Sequence, residues 1–275
     1  MPELPETETI ARDLDAALRG ARISRVTVRR ADVLRETQSG ELARRLTGAS
    51  ILSASRRAKL VVIELSTADR VVVQPRFTGA LIIDRGALPE CERRYVTVSF
   101  VFDDGRALHY RDIRRLGTVA LMDVERWQQY SSALGAEPLD PAFTPAHLSA
   151  TLRDSRQAVK KALMDQRRIA GVGNIYANEA LWRARIDPSR QSRALNGDEV
   201  RRLHASLTAV LREAIDARGT SFRDYRDASG ERGTFAASLA AYGRAGEPCW
   251  RCGARLIGTS AIDGRATVFC ARCQS

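Results

Sequence analysis

Residues 249–273 read CWRCGARLIGTSAIDGRATVFCARC and contain two Cys-x2-Cys pairs, which are separated by 17 residues. Thiolates at this spacing are typical of a zinc site in which each pair lies in a tight turn and the ion closes the segment between them. The spacing alone would also allow two disulfide bonds, but nothing else in the sequence indicates export to an oxidising compartment. We therefore predict one structural zinc ion, bound by Cys249, Cys252, Cys270 and Cys273.

Between the two cysteine pairs, Gly264-Arg265-Ala266-Thr267 lies where a hairpin closed by zinc would have its tip. A guanidinium held rigidly at that tip could bind a phosphate with two parallel hydrogen bonds. A solvated arginine that only keeps the tip soluble is the alternative. The fifth cysteine, Cys91, stands alone in the sequence, and we predict that it is inert packing.

The charge of the whole chain points to a polyanionic partner. The 275 residues carry 44 Lys+Arg and 33 Asp+Glu, a formal net charge of +11. Such an excess most often accompanies nucleic-acid binding. The 44% hydrophobic content excludes wholesale disorder, and the 6% aromatic content argues against a protein that binds mainly by stacking many bases. No apolar run is long enough for a membrane helix or a signal peptide, so we expect a soluble intracellular protein of about two domains.

Upstream of the cysteines the sequence changes from strands to helices. Residues 23–124 contain short apolar runs and alternating stretches without intervening helices, which predicts a β-sandwich or barrel; Asp103-Asp104-Gly105 marks one hairpin. A first helix precedes the strands, beginning near Pro5 and ending at Gly20, with an apolar stripe of Ile10, Leu14 and Leu18. Further helices are predicted over Pro145–Leu152, Arg156–Asp165, Ile175–Arg185 and Asp198–Arg218, and a flexible loop over Ser229–Gly233.

Pro2 is a candidate nucleophile. If Met1 is removed, Pro2 becomes an N-terminal secondary amine, and an α-amine has a pKa near 8 against about 10.4 for lysine, so more of it than of a lysine is unprotonated at neutral pH. Such an amine attacks a carbon at the aldehyde oxidation level to give an iminium directly. Glu3 and Glu6 lie close enough in sequence to move protons. A proline that only starts a helix is the alternative.

A second candidate site is Gly171-Val172-Gly173-Asn174, directly before a predicted helix. Glycines let the backbone approach a ligand closely, and the N–H groups at a helix start attract phosphate. Lys160 and three other basic residues lie just upstream. A tight turn between packed helices is the alternative.

Three segments together resemble one known family. The opening PELPETET (2–9) resembles the start of formamidopyrimidine-DNA glycosylases, the Fpg (MutM) branch of the Fpg/Nei base-excision repair family. Residues 163–181 look like that family's helix–two-turns–helix motif, and 242–274 look like its zinc finger. Leu4 favours the Fpg branch, since the Nei branch usually has glycine there.

The resemblance implies an α+β fold. We expect an N-terminal helix with a β-sandwich in a catalytic domain over 1–133, a helical DNA-binding domain with the helix–two-turns–helix motif over 134–239, and a four-cysteine zinc finger over 240–275.

The resemblance also implies a bifunctional DNA glycosylase and AP lyase that removes 8-oxoguanine and formamidopyrimidines from duplex DNA and nicks the strand by β,δ-elimination. Pro2 would attack C1′ of the damaged nucleotide, and Glu3 would assist opening of the sugar ring. Lys59 would contact phosphate and serve β-elimination, and Arg265 would grip the flanking phosphates and serve δ-elimination. Two other functions stay open, a Nei-like preference for oxidised pyrimidines and a non-catalytic damaged-DNA-binding zinc protein.

Further positions would contact damaged double-stranded DNA by the same resemblance. Lys160 and Asn174 would hold the backbone around the flipped nucleotide, and residues 230–235 would close over the extruded base. Phe77 and Leu116 stand where the family usually has a methionine and a phenylalanine wedge. We expect a monomer in the cytoplasm, associated with the nucleoid of a bacterium. The full set of expected DNA contacts is Tyr95, Arg114, Lys160, Asn174, Phe77 and Leu116.

Overall fold

A computed structural model describes residues 2–86, 88–222 and 225–275 of the chain, which divide into two units. Residues 1–132 and 217–234 form the first, called here the sandwich unit, and residues 133–216 and 235–275 form the second, called the helical unit. The segment 217–234 thus packs with the N-terminal part of the chain although it follows the longest helix.

The sandwich unit contains two β-sheets that share one apolar core. All strand pairs among the described residues are antiparallel except one short parallel pair in the second sheet. Alternating residues of the strands, such as Val98 and Phe100, point into this core, and polar residues alternate with them. The strands are β1 (Ile23–Val28), β2 (Leu34–Arg35), β3 (Ile51–Arg57), β4 (Leu60–Leu65), β5 (Arg70–Gln74), β6 (Gly79–Asp84), β7 (Val96–Phe102), β8 (Ala107–Asp112) and β9 (Thr118–Met122). Four of them form the first sheet in the order β1-β7-β8-β6, and five form the second in the order β2-β9-β5-β4-β3.

The first helix buries the predicted stripe. Ile10, Leu14 and Leu18 are fully buried and belong to the same core as the strands. The predicted hairpin is confirmed as well, since β7 and β8 pair across the turn in which Gly105 adopts a φ of 84°. The helices of this unit are α1 (Leu4–Leu18), α2 (Ser39–Leu46), α3 (Glu90–Arg93) and α4 (Val124–Ser132).

Four predicted helices are confirmed in the helical unit. Its longest helix buries one apolar face, which includes Leu203, Leu207 and Leu211, against the rest of the unit. The zinc-finger tail contributes one two-stranded sheet. The elements are α5 (Pro145–Arg153), α6 (Val159–Leu163), α7 (Asn174–Ala184), α8 (Gly197–Asp216), β10 (Ile257–Thr259) and β11 (Thr267–Phe269).

Three features differ from the sequence predictions. α2 and α3 lie within residues 23–124, which the sequence predicted to contain strands without helices, and α4 begins at the end of that stretch. Cys91 is exposed on α3 rather than packed inside, because no residue of that short helix is buried. Residues 229–233, which were predicted as a flexible loop, are held by hydrogen bonds from the backbone N–H groups of Ser229 and Glu231 to the buried Asp227 carboxylate. Among the residues that the structure describes, no helix has the length and apolar character needed to cross a membrane.

Candidate active site and nucleic-acid interface

The N-terminal segment is buried and held by one carboxylate. Pro2 and Glu3 have almost no solvent-exposed surface and lie directly before α1. The Glu3 backbone N–H donates to Glu6 Oε2 at 2.8 Å, and the Thr220 backbone N–H donates to Glu6 Oε1 at 2.7 Å. Both Glu6 oxygens therefore accept backbone hydrogen bonds. Glu6 therefore fixes the segment that carries Pro2 and Glu3, and the suggestion that it moves protons stays a prediction. Met1 lies outside the described residues.

Lys59 lies in the two-residue turn between β3 and β4, and only 8% of its surface is exposed. The preceding Ala58 adopts a φ of 53°, which the turn requires. An ion pair ties this hairpin to α1, because Arg56 Nε donates to Glu8 Oε2 at 2.8 Å. Burial opposes ionisation of Glu8, but Arg56 and, to a lesser extent, Arg12 together outweigh it and lower the pKa of Glu8 below its usual value. The lysine and the N-terminal segment are thus fixed to the same helix.

Phe77 and Leu116 are exposed apolar side chains on two loops of the sandwich unit, with exposed fractions of 48% and 39%. The Arg114 guanidinium carbon lies 5.5 Å from the centre of the Phe77 ring, within cation–π range. Exposed apolar side chains next to a cation are suited to contact unstacked bases and phosphate together.

One buried carboxylate, that of Asp112, joins these two loops. Its Oδ1 accepts the Thr78 hydroxyl at 2.5 Å, and its Oδ2 accepts the Gly117 backbone N–H at 2.8 Å and the Tyr110 hydroxyl at 3.2 Å. The backbone at Gly117 lies so close to the Tyr110 hydroxyl that only glycine fits there, since a Cβ on Gly117 would lie 1.9 Å from Tyr110 Oη. Burial, followed by the Asp112 charge, raises the pKa of Tyr110 strongly. Asp112 was not predicted as a functional residue.

Tyr95 is half-buried and lies between two arginines. The guanidinium carbons of Arg94 and Arg111 lie 4.7 and 5.7 Å from the centre of its ring. Arg111 is buried and ion-paired with Glu92, whereas the exposed Arg94 keeps N–H groups directed away from the ring that can reach an anion. This arrangement suits a phosphate contact.

In the helical unit, the hairpin between β10 and β11 brings together the predicted residues Lys160, Asn174 and Arg265. Asn174 Nδ2 donates to the Ala266 carbonyl at 3.0 Å, and the Arg265 backbone N–H donates to Asp263 Oδ1 at 3.0 Å. The Arg265 side chain stays exposed and lies beside Met164 at the edge of a pocket of about 250 Å³. The hairpin is therefore anchored through its backbone while its arginine faces solvent.

Lys160 is fully buried, which a lysine rarely is. Its Nζ lies 3.2 Å from Asp263 Oδ1 and donates to Thr267 Oγ1 at 2.8 Å. Asp263 is itself only 4% exposed at its side chain. The lysine thus holds the hairpin that carries Arg265, and its charge is already matched by a carboxylate.

The four cysteines fit a zinc ion. Their Sγ atoms all lie within 4.8 Å of one another, and tetrahedral zinc–thiolate bonds of about 2.3 Å separate the sulfurs by about 3.8 Å. Burial opposes ionisation of Cys249, but the backbone N–H groups of Arg251 and Cys252 lower its pKa to about 6. Burial and the neighbouring cysteines raise the pKa of Cys270 and Cys273, so a bound cation would be needed to hold all four as thiolates. The expected ligand set is therefore brought together.

A second buried carboxylate fixes the start of the zinc-finger tail. Glu179 on α7 accepts the backbone N–H groups of Ala240, Ala241 and Tyr242 at 2.8 to 2.9 Å. Burial raises its pKa although these three hydrogen bonds oppose the shift. Sequence reasoning missed Glu179, as its partners lie about 60 residues away.

Comparisons with known proteins agree along the whole chain. Family models match residues 1–119 (formamidopyrimidine-DNA glycosylase N-terminal domain), 134–226 (formamidopyrimidine-DNA glycosylase H2TH domain) and 246–275 (zinc finger found in FPG and IleRS). A formamidopyrimidine-DNA glycosylase of Thermomicrobium roseum is 41% identical and covers 100% of this chain and 99% of its own; that of Bacillus subtilis is 38% identical with the same coverage.

Solved structures of Fpg (MutM) proteins are similar to this chain over nearly its full length. Lactococcus lactis Fpg (MutM), in a complex with DNA that contains N7-benzyl-Fapy-dG, superposes with a TM-score of 0.91 at 32% identity and full coverage of both chains. MutM (Fpg) of Thermus thermophilus superposes with a TM-score of 0.87 at 34% identity, covering 99% of this chain and 98% of its own.

Proposed function

Since the chain belongs to the formamidopyrimidine-DNA glycosylase family, we propose that Pro2, Glu3, Lys59 and Arg265 carry its glycosylase and AP lyase reaction. The enzyme removes oxidised purines, 8-oxoguanine and formamidopyrimidines, from duplex DNA in base excision repair. The observation that carries this assignment is the Glu6 carboxylate, which fixes the buried Pro2–Glu3 segment through the Glu3 backbone. A binding module would have no use for an N-terminal amine fixed in this way.

In the proposed reaction, the unprotonated Pro2 nitrogen attacks C1′ of the damaged nucleotide. The N-glycosidic bond breaks, and its electron pair leaves with the base, which takes up a proton. Glu3 donates a proton to the ring oxygen, so the sugar opens, and loss of the proton on Pro2 gives an iminium between Pro2 and C1′. A short, hydrogen-bonded N-terminal segment holds the nitrogen in one place, which lowers the entropic part of the barrier.

Strand cleavage follows from the same intermediate. The iminium acidifies the C2′ proton, and its removal sends electrons toward nitrogen while the C3′–O bond breaks and releases the 3′ phosphate. Loss of a further sugar proton releases the 5′ phosphate, and water then hydrolyses the imine and frees Pro2. We assign Lys59 to the first elimination and to phosphate contact. Arg265 would bind the phosphates near the lesion and serve the second elimination.

The remaining DNA contacts are assigned by the same reasoning. Phe77 and Leu116 would fill the space left by the extruded base, and Arg114 would enter the gap in the duplex. Tyr95 with the exposed Arg94 would bind backbone phosphate, as would Asn174. Lys160 would act indirectly, because it is buried against Asp263 and holds the hairpin that presents Arg265. When bound, zinc would supply structural support for that hairpin through its four thiolates.

We also propose the finer organisation of the protein. Its domains would be 1–133, 134–239 and 240–275, and it would act as a monomer. The net charge of +11 would attract the phosphates of a duplex of any sequence. Because chromosomal DNA is its substrate, the enzyme would be associated with the nucleoid.

Trapping with borohydride tests the assignment of Pro2. Borohydride reduces an iminium to a stable amine, so protein freed of Met1 (checked by intact mass) is expected to form a covalent adduct with an 8-oxoguanine duplex. Pro2→Gly should reduce the trapping rate at least tenfold. Pro5→Ala, which changes another buried proline of the same segment, should leave it nearly unchanged.

The lesion panel decides between the remaining functions. Duplexes that contain 8-oxoguanine, a formamidopyrimidine, thymine glycol or an abasic site are compared under single-turnover conditions. Faster excision of thymine glycol than of 8-oxoguanine would indicate the Nei-like preference. Absence of any adduct with Met1-free, zinc-loaded protein would refute the catalytic assignment.

A further inference from the structure

Arg218 occupies a backbone conformation that favours glycine. Its φ is 59°, in the left-handed region, and the following Gly219 has a φ of 86°. An L-residue with a long side chain is destabilised there, whereas glycine is not. An arginine at this position therefore calls for a compensating interaction of its side chain.

The Arg218 guanidinium bridges two carboxylates of the sandwich unit. Its Nη2 lies 2.6 Å from Asp13 Oδ2 on α1, and 2.6 Å from Asp227 Oδ2 in the segment after α8. Its Nε also donates to Asp227 at 2.9 Å. Asp227 is 1% exposed, so its charge needs this partner. We call these three residues the Arg218 bridge.

The segment fixed by the bridge also holds the proposed nucleophile. Two residues after Arg218, the Thr220 backbone N–H donates to Glu6 Oε1, and the other Glu6 oxygen accepts the Glu3 backbone N–H. The contact at Gly219 is tight, since a Cβ there would lie 2.9 Å from Glu6 Cγ. A shift of residues 218–220 would thus move Glu6 and, with it, Glu3 and Pro2.

We propose that Arg218 is a positioning residue for the N-terminal nucleophile, acting through Thr220 and Glu6. The inference rests on the proposed function of Pro2 and adds a residue from outside the N-terminal segment. A positioning residue changes the rate of the chemical step, because the geometry of attack is strained or relaxed, while the affinity for DNA is kept.

The chain offers a matched control. Arg185 is also an arginine in the left-handed region, with a φ of 60°, and it ends α7 in the helical unit. Arg218→Gly and Arg185→Gly therefore remove the same charge and relieve the same backbone conformation. Only the first removes the bridge to Asp13 and Asp227.

The experiment measures single-turnover borohydride trapping on an abasic duplex, with the amplitude and the rate recorded separately. For Arg218→Gly we expect about a tenfold lower rate at an unchanged Kd for duplex DNA, with partial rescue by Arg218→Lys. Arg185→Gly should keep the wild-type rate. A role in stability alone would lower the amplitude and the Tm at a normal rate, which would overturn the proposal, as would a normal rate and amplitude.

Asp13→Asn is the second variant, in case Arg218→Gly folds poorly. It removes one arm of the bridge with little change of shape, and we expect a smaller rate loss that does not add to that of Arg218→Gly. Full additivity of the two losses would contradict a shared bridge. If wild-type protein itself forms no adduct, the proposed function fails; if wild-type traps normally and both variants match it, only the positioning role fails.

Discussion

Replacing the buried Lys160 by methionine tests how the helical unit presents Arg265. Methionine keeps an unbranched chain of similar length but removes the ammonium that faces Asp263. The carboxylate then stays buried without its cation, and Thr267 loses a hydrogen-bond donor. Methionine fills the space, so the loss comes from the charge rather than from a cavity.

The burial of the Lys160–Asp263 pair sets the size of the expected loss of stability. Removing one partner of a buried ion pair costs about 3–5 kcal/mol. For a unit of about 125 residues, the entropy of unfolding is roughly 0.26 kcal/mol per kelvin, so the Tm of that unit should fall by roughly 11–19 °C. The double variant Lys160→Met with Asp263→Asn removes both charges, and most of the loss should be recovered.

Calorimetry of zinc-loaded protein at pH 7 measures this shift. Lys161→Met is the control, because it makes the same substitution and the same charge change at the next, exposed position of α6. It should change the Tm by no more than about 2 °C, as surface substitutions do. A Tm for Lys160→Met equal to that of Lys161→Met would refute the conclusion that the ion pair anchors the hairpin.

Three further outcomes are expected. Glu8→Gln should lower the free energy of unfolding by about 1.5–3 kcal/mol at pH 7, because Arg56 loses a charged partner. Since the folded-state pKa of Glu8 is lowered, this stability is fully present above the ordinary pKa of Glu8 and is lost as the pH falls through the lowered one, so the difference between variant and wild type in urea unfolding should shrink as the pH is lowered into the acid range. Native mass spectrometry should find one zinc per chain and none in Cys273→Ser, and zinc retained by that variant would contradict a four-thiolate site. Phe77→Ala should slow base extrusion, followed by 2-aminopurine fluorescence, without a change in Tm, whereas Leu52→Ala, which alters an equally exposed residue, should slow nothing.

The elements that could be predicted from the sequence are those with a local cause. The zinc ligands follow from their spacing, and α7 and α8 follow from apolar periodicity over more than ten residues. α2 was missed because it has only eight residues and buries only Leu42 and Leu46, which a strand-rich context hides. Its N-cap, Gln38, gives no capping signal either.

The candidate site shows the same limit. Pro2 and Arg265 could be singled out from the sequence because the chemistry they offer is intrinsic to the residue and its position. The roles of Glu6 and Lys160 could not, since Thr220 lies 214 residues from Glu6 and Asp263 lies 103 residues from Lys160. A lysine in a basic run is also expected to be solvated, and only the fold reveals that this one is buried.

Buried carboxylates hold several of the segments that carry the assigned residues. Each accepts backbone N–H groups of a loop or segment that carries a functional residue, which fixes the backbone while the functional side chain remains available. Placing acids inside in this way also leaves the surface more cationic than the composition alone requires, which favours phosphate binding. Neutralising one of these acids should therefore impair a single step, whereas removing a surface acid should alter only the salt dependence of DNA binding. The carboxylates in question are Glu6, Asp112, Glu179, Asp227 and Asp263.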